Sequence, residues 1–302
     1  MKVLLTGASG FIGPHLSKRL VAAGHEVFPV SRRAASGGAS FDWSDASLAR
    51  GVGQADAVIH LAGENLFGRR WTSHQKEVLR SSRTELTGRL ARLVASRKPA
   101  CFISSSAVGY YGDSPDVHFT ESSPRGKGFL ADLCGEWEAA TSAAANAGVR
   151  TVIVRTGVVL GQGGGALAKM LLPFKLGIGG PIGNGRQWLS WIHLDDLVSL
   201  FQFLLETSRE PGPFNATAPQ PVTMKTFATA LGRALHRPAV FPVPGMMLRL
   251  ALGEVADVLV TGQYVEPRRA CEAGFTFRFA GIDGALRDIV ASDRRKAIFC
   301  LM

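Results

Sequence analysis

Short apolar runs alternate with amphipathic stretches along the first half of the chain. After an opening run at Val3, Leu4 and Leu5, the pattern predicts strands at residues 26–30, 57–61, 100–104 and 150–154. Apolar positions three and four residues apart predict helices at residues 72–96, 129–147, 225–235 and 246–260. Repeated strand–helix alternation is typical of a parallel sheet with helices on both faces. Right-handed crossovers then give an α/β fold, a Rossmann-type doubly wound parallel sheet.

A glycine-rich turn joins the first strand to the first helix. Gly7, Gly10 and Gly13 stand three residues apart, a spacing typical of a helix N-terminus whose N–H groups point at a pyrophosphate. The glycines permit the turn, the approach of the ligand and close packing of helix on strand. Dinucleotide contacts are predicted at Gly7, Ser9, Gly10, Phe11, Ile12 and Gly13. The alternative is a structural turn in a fold that has lost its cofactor.

The end of the second strand indicates which dinucleotide the site takes. An NAD site usually has an aspartate or glutamate here, which binds the ribose 2′-hydroxyl. In this chain Ser31, Arg32 and Arg33 follow the strand instead. A hydroxyl and two guanidiniums suit a 2′-phosphate, so Ser31 and Arg32 predict NADP (NADPH) as the cofactor. The alternative is that both arginines are solvated loop residues without a ligand.

The second half of the chain has a different pattern. Glycine-rich loops at residues 161–165 and 177–185 are followed by seven prolines between residues 211 and 244. We therefore predict an NADP-binding domain over residues 1–160, to which strands of the second half return. Residues 161–302 are predicted to form a smaller C-terminal substrate lobe over the carboxyl edge of the sheet, where such folds bind small molecules.

Composition excludes several partners. The chain has 302 residues, is 46% hydrophobic and carries a formal net charge of +10. Because lysines and arginines are dispersed and aromatics do not interleave with them, no nucleic-acid partner is expected, and attraction of a polyanionic cofactor explains the charge. No apolar run reaches about 18 residues, so no membrane-spanning helix and no membrane partner are expected.

The cysteines give no sign of a metal site or a disulfide framework. Cys101, Cys134, Cys271 and Cys300 are far apart and form no CxxC pair. They predict reduced thiols and no bound metal. Together with an N-terminus that does not read as a secretory signal, they predict a cytoplasmic protein.

Three segments, residues 6–13, 60–63 and 104–113, resemble the extended short-chain dehydrogenase/reductases, which include nucleotide-sugar epimerases and dehydratases. The chain resembles still more closely an atypical branch, epimerase family proteins with a C-terminal domain of unknown function. The matching segments span nearly the whole chain and include residues 62–65, 155–161, 179–183, 188–196 and 274–277. The resemblance implies that Leu61 and Ala62 touch the cofactor. It also implies that Arg83, on a basic helix face, contacts NADP or a substrate phosphate, the alternative being a solvated basic stripe.

The resemblance also shows where catalytic residues are missing. In the superfamily a tyrosine, and a lysine four residues later, move a proton to or from a substrate hydroxyl, while a serine binds the oxyanion. Leu130 and Cys134 stand at the tyrosine and lysine positions here. The remaining catalytic candidates are Ser106, as hydrogen-bond donor, and Tyr111, as acid. The alternative is that Tyr110 and Tyr111 pack over the cofactor without chemistry.

Two functions remain open from the sequence. One is an NADP-dependent oxidoreductase or epimerase acting on a small carbonyl or alcohol, favoured by the glycine-rich loop and the C-terminal lobe. The other is a non-catalytic NADP-binding regulatory or scaffold protein, favoured by the missing pair. A true nucleotide-sugar epimerase is less expected, because Leu189 replaces the arginine that grips the diphosphate in that class. Asp195 or Asp196 is expected to cap a helix, and the resemblance implies a homodimer formed through helix 72–96.

Overall fold

The structure is a computed structural model that describes the backbone of residues 1–31 and 40–299 and the side chains of residues 1–31 and 40–292. The strands are β1 (Lys2–Thr6), β2 (Glu26–Val30), β3 (Ala57–His60), β4 (Cys101–Ala107), β5 (Ser114–Phe119), β6 (Arg150–Thr156), β7 (Val158–Leu160), β8 (Trp188–Leu189), β9 (Trp191–His193), β10 (Gly212–Ala216), β11 (Val222–Thr223) and β12 (Gln263–Val265). The helices are α1 (Gly13–Ala22), α2 (Asp45–Gln54), α3 (Ser73–Arg97), α4 (Phe129–Ala139), α5 (Ser142–Asn146), α6 (Gly165–Lys175), α7 (Leu194–Glu206), α8 (Met224–Leu235), α9 (Gly245–Leu252), α10 (Asp257–Val260), α11 (Arg268–Glu272) and α12 (Ile282–Phe299).

The described strands build a six-stranded parallel sheet in the order β10-β6-β4-β3-β1-β2. An isolated parallel bridge between Val30 and Phe41 continues the sheet beyond β2. The chain runs outward from β1 to β2 and then crosses to β3 on the other side of β1. This reversal opens a crevice at the carboxyl edge of the sheet, where α/β folds bind nucleotides. The predicted Rossmann-type sheet is confirmed.

Both faces of the sheet are buried, which explains why its strands are continuous apolar runs. On one face, Leu5, Ile59 and Ile103 pack with residues of α1 and α7. On the other, Leu4 and Val58 pack with residues of α2 and α3. Because successive side chains of a strand point to opposite faces, β1, β3 and β4 contribute to both cores.

The second half of the chain adds one strand to this sheet and builds a further core. β10 pairs with β6 in parallel, as expected for a strand that returns to the first domain. A separate cluster packs α6, α8 and α12 around Trp191 and Phe227. The boundary predicted near residue 160 stays a prediction.

Two predicted helices were wrong in their extent. Residues 129–147 form α4 and α5 as separate helices. The helix predicted over residues 246–260 ends at Leu252, because Gly253 has a φ of +66°, a left-handed conformation that interrupts the helix. A short 3₁₀ turn and α10 follow.

A buried chain of polar side chains ties the first strand to two helices. The Thr6 hydroxyl lies 2.6 Å from His60 Nδ1, and His60 Nε2 lies 3.0 Å from the Thr87 hydroxyl. The Trp137 indole donates to the same Thr87 oxygen at 2.9 Å. Burial lowers the pKa of His60 to about 4, so the ring is neutral at physiological pH.

A buried ion pair joins α4 to the sheet. Arg155 Nε and Nη2, at the end of β6, donate to the two carboxylate oxygens of Glu138, both at 2.8 Å. The side chains are only 4% and 11% exposed. The Ser106 hydroxyl donates to the same carboxylate at 2.7 Å, which fixes the end of β4 against α4. Such bidentate pairing compensates the loss of hydration only while both partners are present.

The buried His60 makes the folded state sensitive to acid. The pKa of histidine in the unfolded chain is about 6.5. Since its folded value is about 4, the unfolded state binds more protons between these values and stability falls as pH falls through this window. We expect the wild type to lose up to about 3 kcal/mol more than His60→Gln as pH falls from about 6.5 to about 4. Urea unfolding of both proteins across the window measures this difference, and parallel curves would contradict it.

Loss of the Glu138 charge is expected to destabilise the fold strongly. Glu138→Gln leaves the Arg155 guanidinium buried without its counter-charge, so we expect a loss of about 3–5 kcal/mol in the free energy of unfolding. Glu136→Gln is the matched control, since Glu136 lies on the same helix and pairs with Arg80 at the surface. It is expected to lose less than about 1 kcal/mol. Equal losses in the two variants, measured by urea unfolding, would refute the special role of the buried pair.

Candidate functional site

The glycine turn leaves no room for side chains at two positions. A Cβ on Gly7, whose φ is +71°, would lie 2.8 Å from the Leu61 carbonyl carbon and 2.9 Å from the Ala62 nitrogen. A Cβ on Gly13 would lie 2.3 Å from the Gly7 carbonyl oxygen. The Gly10 N–H donates to that same oxygen at 3.0 Å. The structure thus brings the turn and the segment after β3 into backbone contact, and the cofactor contacts expected at both stay predictions.

The N-terminus of α1 opens at this turn without a cap. Ile12 occupies the N-cap position with no side-chain hydrogen bond, and the first turn of α1 contains no acidic residue. Ser9 and Gly10 are exposed at the tip of the turn. Among the described residues, the first N–H groups of the helix therefore have no side-chain acceptor, and their dipoles favour an anion at this point.

Phe11 packs against the glycine-rich loop that begins the second half. A Cβ on Gly164 would lie 2.5 Å from the Phe11 ring, and one on Gly161 would lie 3.2 Å from it. The loop is therefore rich in glycine because an aromatic ring lies against its backbone. The predicted contact of Phe11 with the cofactor stays a prediction. Because the ring packs against the loop, this contact would be made by the main chain of Phe11.

The segment expected to distinguish NADP from NAD is described only in part. Ser31 follows β2 directly, and its N–H donates to the Phe41 carbonyl oxygen at 3.0 Å. Arg32 and Arg33 lie outside the described residues. The 2′-phosphate contacts of Ser31 and Arg32 stay predictions.

Arg83 is a buried cation beneath the segment after β3. Its guanidinium donates to the Glu64 carbonyl oxygen at 2.8 Å and to the Leu79 carbonyl oxygen at 3.1 Å. It lies 5.1 Å from the Trp137 ring centroid and would contact a side chain at Gly63. Burial lowers its pKa, and within the described part of the chain it makes no ion pair. A guanidinium in this state favours an approaching anion.

Ser106 and Tyr111 lie in one hydrogen-bonded network beneath the carboxyl edge. The Tyr111 hydroxyl donates to Asn215 Oδ1 at 2.7 Å and accepts from Arg155 Nη1 at 2.9 Å. Arg155 binds Glu138, which accepts from the Ser106 hydroxyl. Burial raises the pKa of Tyr111 to about 12, although Arg155 opposes this shift. Desolvation outweighs the cation, so the hydroxyl keeps its proton at neutral pH, and the role of Tyr111 as an acid stays a prediction.

The residues at the expected tyrosine and lysine positions lie beside this network. A Cβ on Gly109, just after β4, would lie 3.2 Å from Leu130 Cβ and 3.8 Å from Cys134 Sγ. Burial raises the pKa of the Cys134 thiol to about 12, so it carries no charge at neutral pH. Arg83 acts electrostatically on that thiol and supplies a positive charge in its vicinity.

The cap of α7 differs from the prediction. His193 Nδ1 accepts the Asp195 N–H at 3.0 Å, so the histidine caps the helix. Asp196 instead accepts the N–H groups of Arg278 and Phe279, both at 2.9 Å. The prediction that an aspartate caps α7 was wrong, because Asp196 is used by a segment distant in sequence.

His193, Asp195 and Asp288 also place potential ligand atoms within 4.8 Å of one another. Because His193 Nδ1 accepts a hydrogen bond, the neutral ring carries its proton on Nε2, which lies 3.6 Å from the Asp288 carboxylate. That nitrogen has no lone pair to offer a cation. The group is therefore a poor metal site.

Sequence reasoning missed three members of the buried network. They are Arg155, Glu138 and Asn215. Each is a charged or amide residue next to an apolar run, and this position beside buried segments is the only sign of their role in the sequence. It also missed Glu121, whose buried carboxylate accepts from the Asn215 N–H at 3.0 Å. Burial raises the pKa of Glu121, and its second oxygen is without a partner among the described residues.

Comparison with known proteins agrees with the fold. The model of the NAD dependent epimerase/dehydratase family matches residues 3–217, and a domain of unknown function (DUF1731) matches residues 243–289. Epimerase family protein SDR39U1 of Mus musculus is 43% identical over 298 residues, covering 96% of this chain and all of that protein. Epimerase family protein YfhF of Bacillus subtilis is 39% identical, and the match covers 98% of this chain and 99% of YfhF.

Among solved structures, human epimerase family protein SDR39U1 (isoform 2), crystallised with NADPH, is similar with a TM-score of 0.91. It is 39% identical, and the match covers 96% of this chain and 99% of that one. UDP-N-acetylglucosamine 4-epimerase of Bacillus cereus has the same fold at 15% identity, with a TM-score of 0.79 and coverage of 97% and 99%. By the family match and these relatives, this chain belongs to the NAD dependent epimerase/dehydratase family.

Proposed function

We propose that this chain binds NADP(H) at the carboxyl edge of its sheet and catalyses an oxidoreduction of a small carbonyl or alcohol. The proposal rests on the N-terminus of α1, which has no side-chain cap. It follows a turn whose close backbone contacts leave no room for side chains at Gly7 or Gly13. The NADPH in the crystals of human SDR39U1 supports the choice of cofactor. The bound nicotinamide would supply the hydride chemistry.

Each described part of the edge has a role in holding the dinucleotide. The N–H groups at the start of α1 bind the pyrophosphate, and the backbone at Leu61 and Ala62 lines the cofactor beside the turn. Ser31 and Arg32 bind the 2′-phosphate. Arg83 serves as the cation beneath this segment, since it is buried and makes no ion pair within the described residues.

The reaction uses Ser106 to bind the substrate oxygen. Its hydroxyl lies at the end of β4 and is oriented by Glu138, so a rotation toward the cleft would let it donate to a developing oxyanion. Tyr111 keeps its proton at neutral pH, and Asn215 and Arg155 hold its hydroxyl inside the protein. This geometry favours Tyr111 as a positioning residue for Arg155 over direct proton transfer from Tyr111 to substrate.

A second candidate is a non-catalytic NADP-binding regulatory or scaffold protein. It is favoured by Leu130 and by the neutral Cys134 thiol, which stand where the resemblance implies a proton-transferring tyrosine and a lysine. A nucleotide-sugar epimerase is less favoured, because Leu189 offers no charge to a diphosphate.

Calorimetric titration with NADPH and NADH tests the cofactor. We expect NADPH to bind more tightly, and Arg32→Ala to weaken NADPH binding about tenfold to hundredfold, since a charge-assisted hydrogen bond contributes about 1.5–3 kcal/mol. NADH binding should change little. Arg97→Ala is the control, because Arg97 is an exposed arginine at the end of α3. If the wild type bound neither nucleotide, the turn would be a structural relic and the proposed oxidoreduction would fail with it.

NADPH consumption with a panel of small aldehydes, ketones and nucleotide sugars tests the reaction. With a substrate that is turned over, Ser106→Ala should lower kcat by about 10²–10³, because it removes an oxyanion donor. NADPH affinity should be unchanged. Ser96→Ala, an exposed serine on α3, is the control. Tight NADPH binding without consumption by any member of the panel would favour the regulatory protein, and turnover of a nucleotide sugar would favour the epimerase.

A further inference from the structure

Large exposed apolar side chains are concentrated in two segments of the C-terminal half. They are Leu172, Leu176, Ile178, Val240, Phe241, Met246, Met247, Leu250 and Leu252, which we call the apolar patch. The other large apolar side chains that are similarly exposed among the described residues, Met1, Val21 and Val117, lie elsewhere in the chain. Concentration of this kind marks an interaction surface, whereas isolated exposed apolar residues are ordinary.

Backbone hydrogen bonds hold the two segments side by side. The Phe241 N–H donates to the Gly179 carbonyl oxygen at 3.3 Å, and the Val243 N–H donates to Pro181 at 2.9 Å. The Gly183 N–H returns a bond to the Val243 carbonyl oxygen at 2.9 Å. The residues that follow α6 therefore lie beside the residues that precede α9.

α9 presents apolar side chains where a surface helix usually presents polar ones. Met246, Met247 and Leu250 are 76%, 63% and 74% exposed, and none of the residues of α9 is buried. Met246 and Leu250 are four residues apart and lie on the same face of the helix. An outward apolar face of this kind marks a surface that contacts a membrane or another protein.

The two segments that carry the apolar patch have a net positive charge, although Glu254 and Asp257 place carboxylates beside the end of α9. Residues 161–194 and 211–253, which contain the whole patch, include no aspartate or glutamate. They include seven basic residues: Lys169, Lys175, Arg186, Lys225, Arg233, Arg237 and Arg249. Two of these, Arg233 and Arg249, form exposed ion pairs with aspartates outside the two segments. Net positive charge beside exposed apolar area fits a surface that is both anionic and apolar.

A second copy of this chain fits the patch less well. In a two-fold dimer the same patch meets itself, so Lys169 and Lys175 of each copy would approach a surface without carboxylates in either segment. Like charges at such an interface oppose association. An anionic bilayer accepts the apolar side chains below the headgroups and the ammonium groups at their level.

We propose that the apolar patch binds the surface of a membrane rich in anionic lipids. Binding is peripheral, since no helix among the described residues is long and apolar enough to span a bilayer. The lack of a spanning run predicts no membrane partner, but a surface assembled from separate segments leaves no such run in the sequence. Lipid binding at this surface is independent of the proposed oxidoreduction.

Co-sedimentation of the full chain with vesicles tests this proposal. We expect binding to vesicles of phosphatidylglycerol and phosphatidylcholine, little binding to phosphatidylcholine alone, and weakening by added salt as charges are screened. Met246→Glu combined with Leu250→Glu should lower the partition coefficient by tenfold or more, because two apolar anchors are lost. Lys169→Gln combined with Lys175→Gln should lower it on anionic vesicles. Val21→Glu combined with Val117→Glu, two exposed valines outside the patch, is the control and should change it less than about twofold.

Thermal unfolding and NADPH titration of the same variants verify that the fold is intact. No binding of the wild type to anionic vesicles would overturn the proposal. Equal losses in the patch variant and the valine control would overturn it too, since the effect would then follow from added negative charge alone. If the wild type instead forms a dimer that Met246→Glu and Leu250→Glu dissociate, without vesicle binding, the patch is an interface between copies and the proposal is wrong.

Discussion

The buried pair of Arg155 and Glu138 is the interaction on which the interior of the site depends. It joins β6 to α4, and through Ser106 it also fixes the end of β4. Two buried charges destabilise the fold unless they pair closely and satisfy each other's hydrogen bonds. Here both carboxylate oxygens accept guanidinium bonds at 2.8 Å, and the Arg155 guanidinium lies 3.5 Å from the Tyr110 ring centroid. These buried polar contacts therefore lie directly beneath the carboxyl edge of the sheet.

The same buried network also limits which groups are available for proton transfer. Tyr111 donates to Asn215 and accepts from Arg155, so its hydroxyl is fully engaged inside the protein. The neutral Cys134 thiol and the Leu130 side chain take the place of a titrating pair. The dinucleotide turn is thus present without the tyrosine and lysine that the resemblance implies. Ser106, oriented by Glu138, and the buried Arg83 are the polar groups on which the proposed reaction depends.

Positive charge serves two surfaces of this molecule. At the sheet edge, the buried guanidinium of Arg83 lies beside the segment after β3, where the proposed function puts a polyanionic nucleotide. In the C-terminal half, two long segments without carboxylates surround exposed methionine and leucine side chains. The net charge of +10 therefore does not act on both surfaces as one field. Because charges are screened over roughly a Debye length, about 8–10 Å in physiological salt, each surface responds mainly to the charges near it.

The sequence by itself determined the features that depend on neighbouring residues. Strand–helix alternation predicted the parallel sheet, and the spacing of Gly7, Gly10 and Gly13 predicted the turn, because periodicity and backbone freedom are local properties. The serine and arginines after β2 predicted NADP, the form of nucleotide crystallised with human SDR39U1.

Tertiary structure alone decided the rest. Arg155 finds Glu138, Tyr111 finds Asn215, and Asp196 serves residues 278 and 279 rather than its own helix, each across a long stretch of chain. The apolar patch likewise depends on backbone bonds between the segment after α6 and the segment before α9. Such partners are chosen by the packing of elements far apart in sequence, and burial then fixes their charge states, so no local pattern could have predicted them.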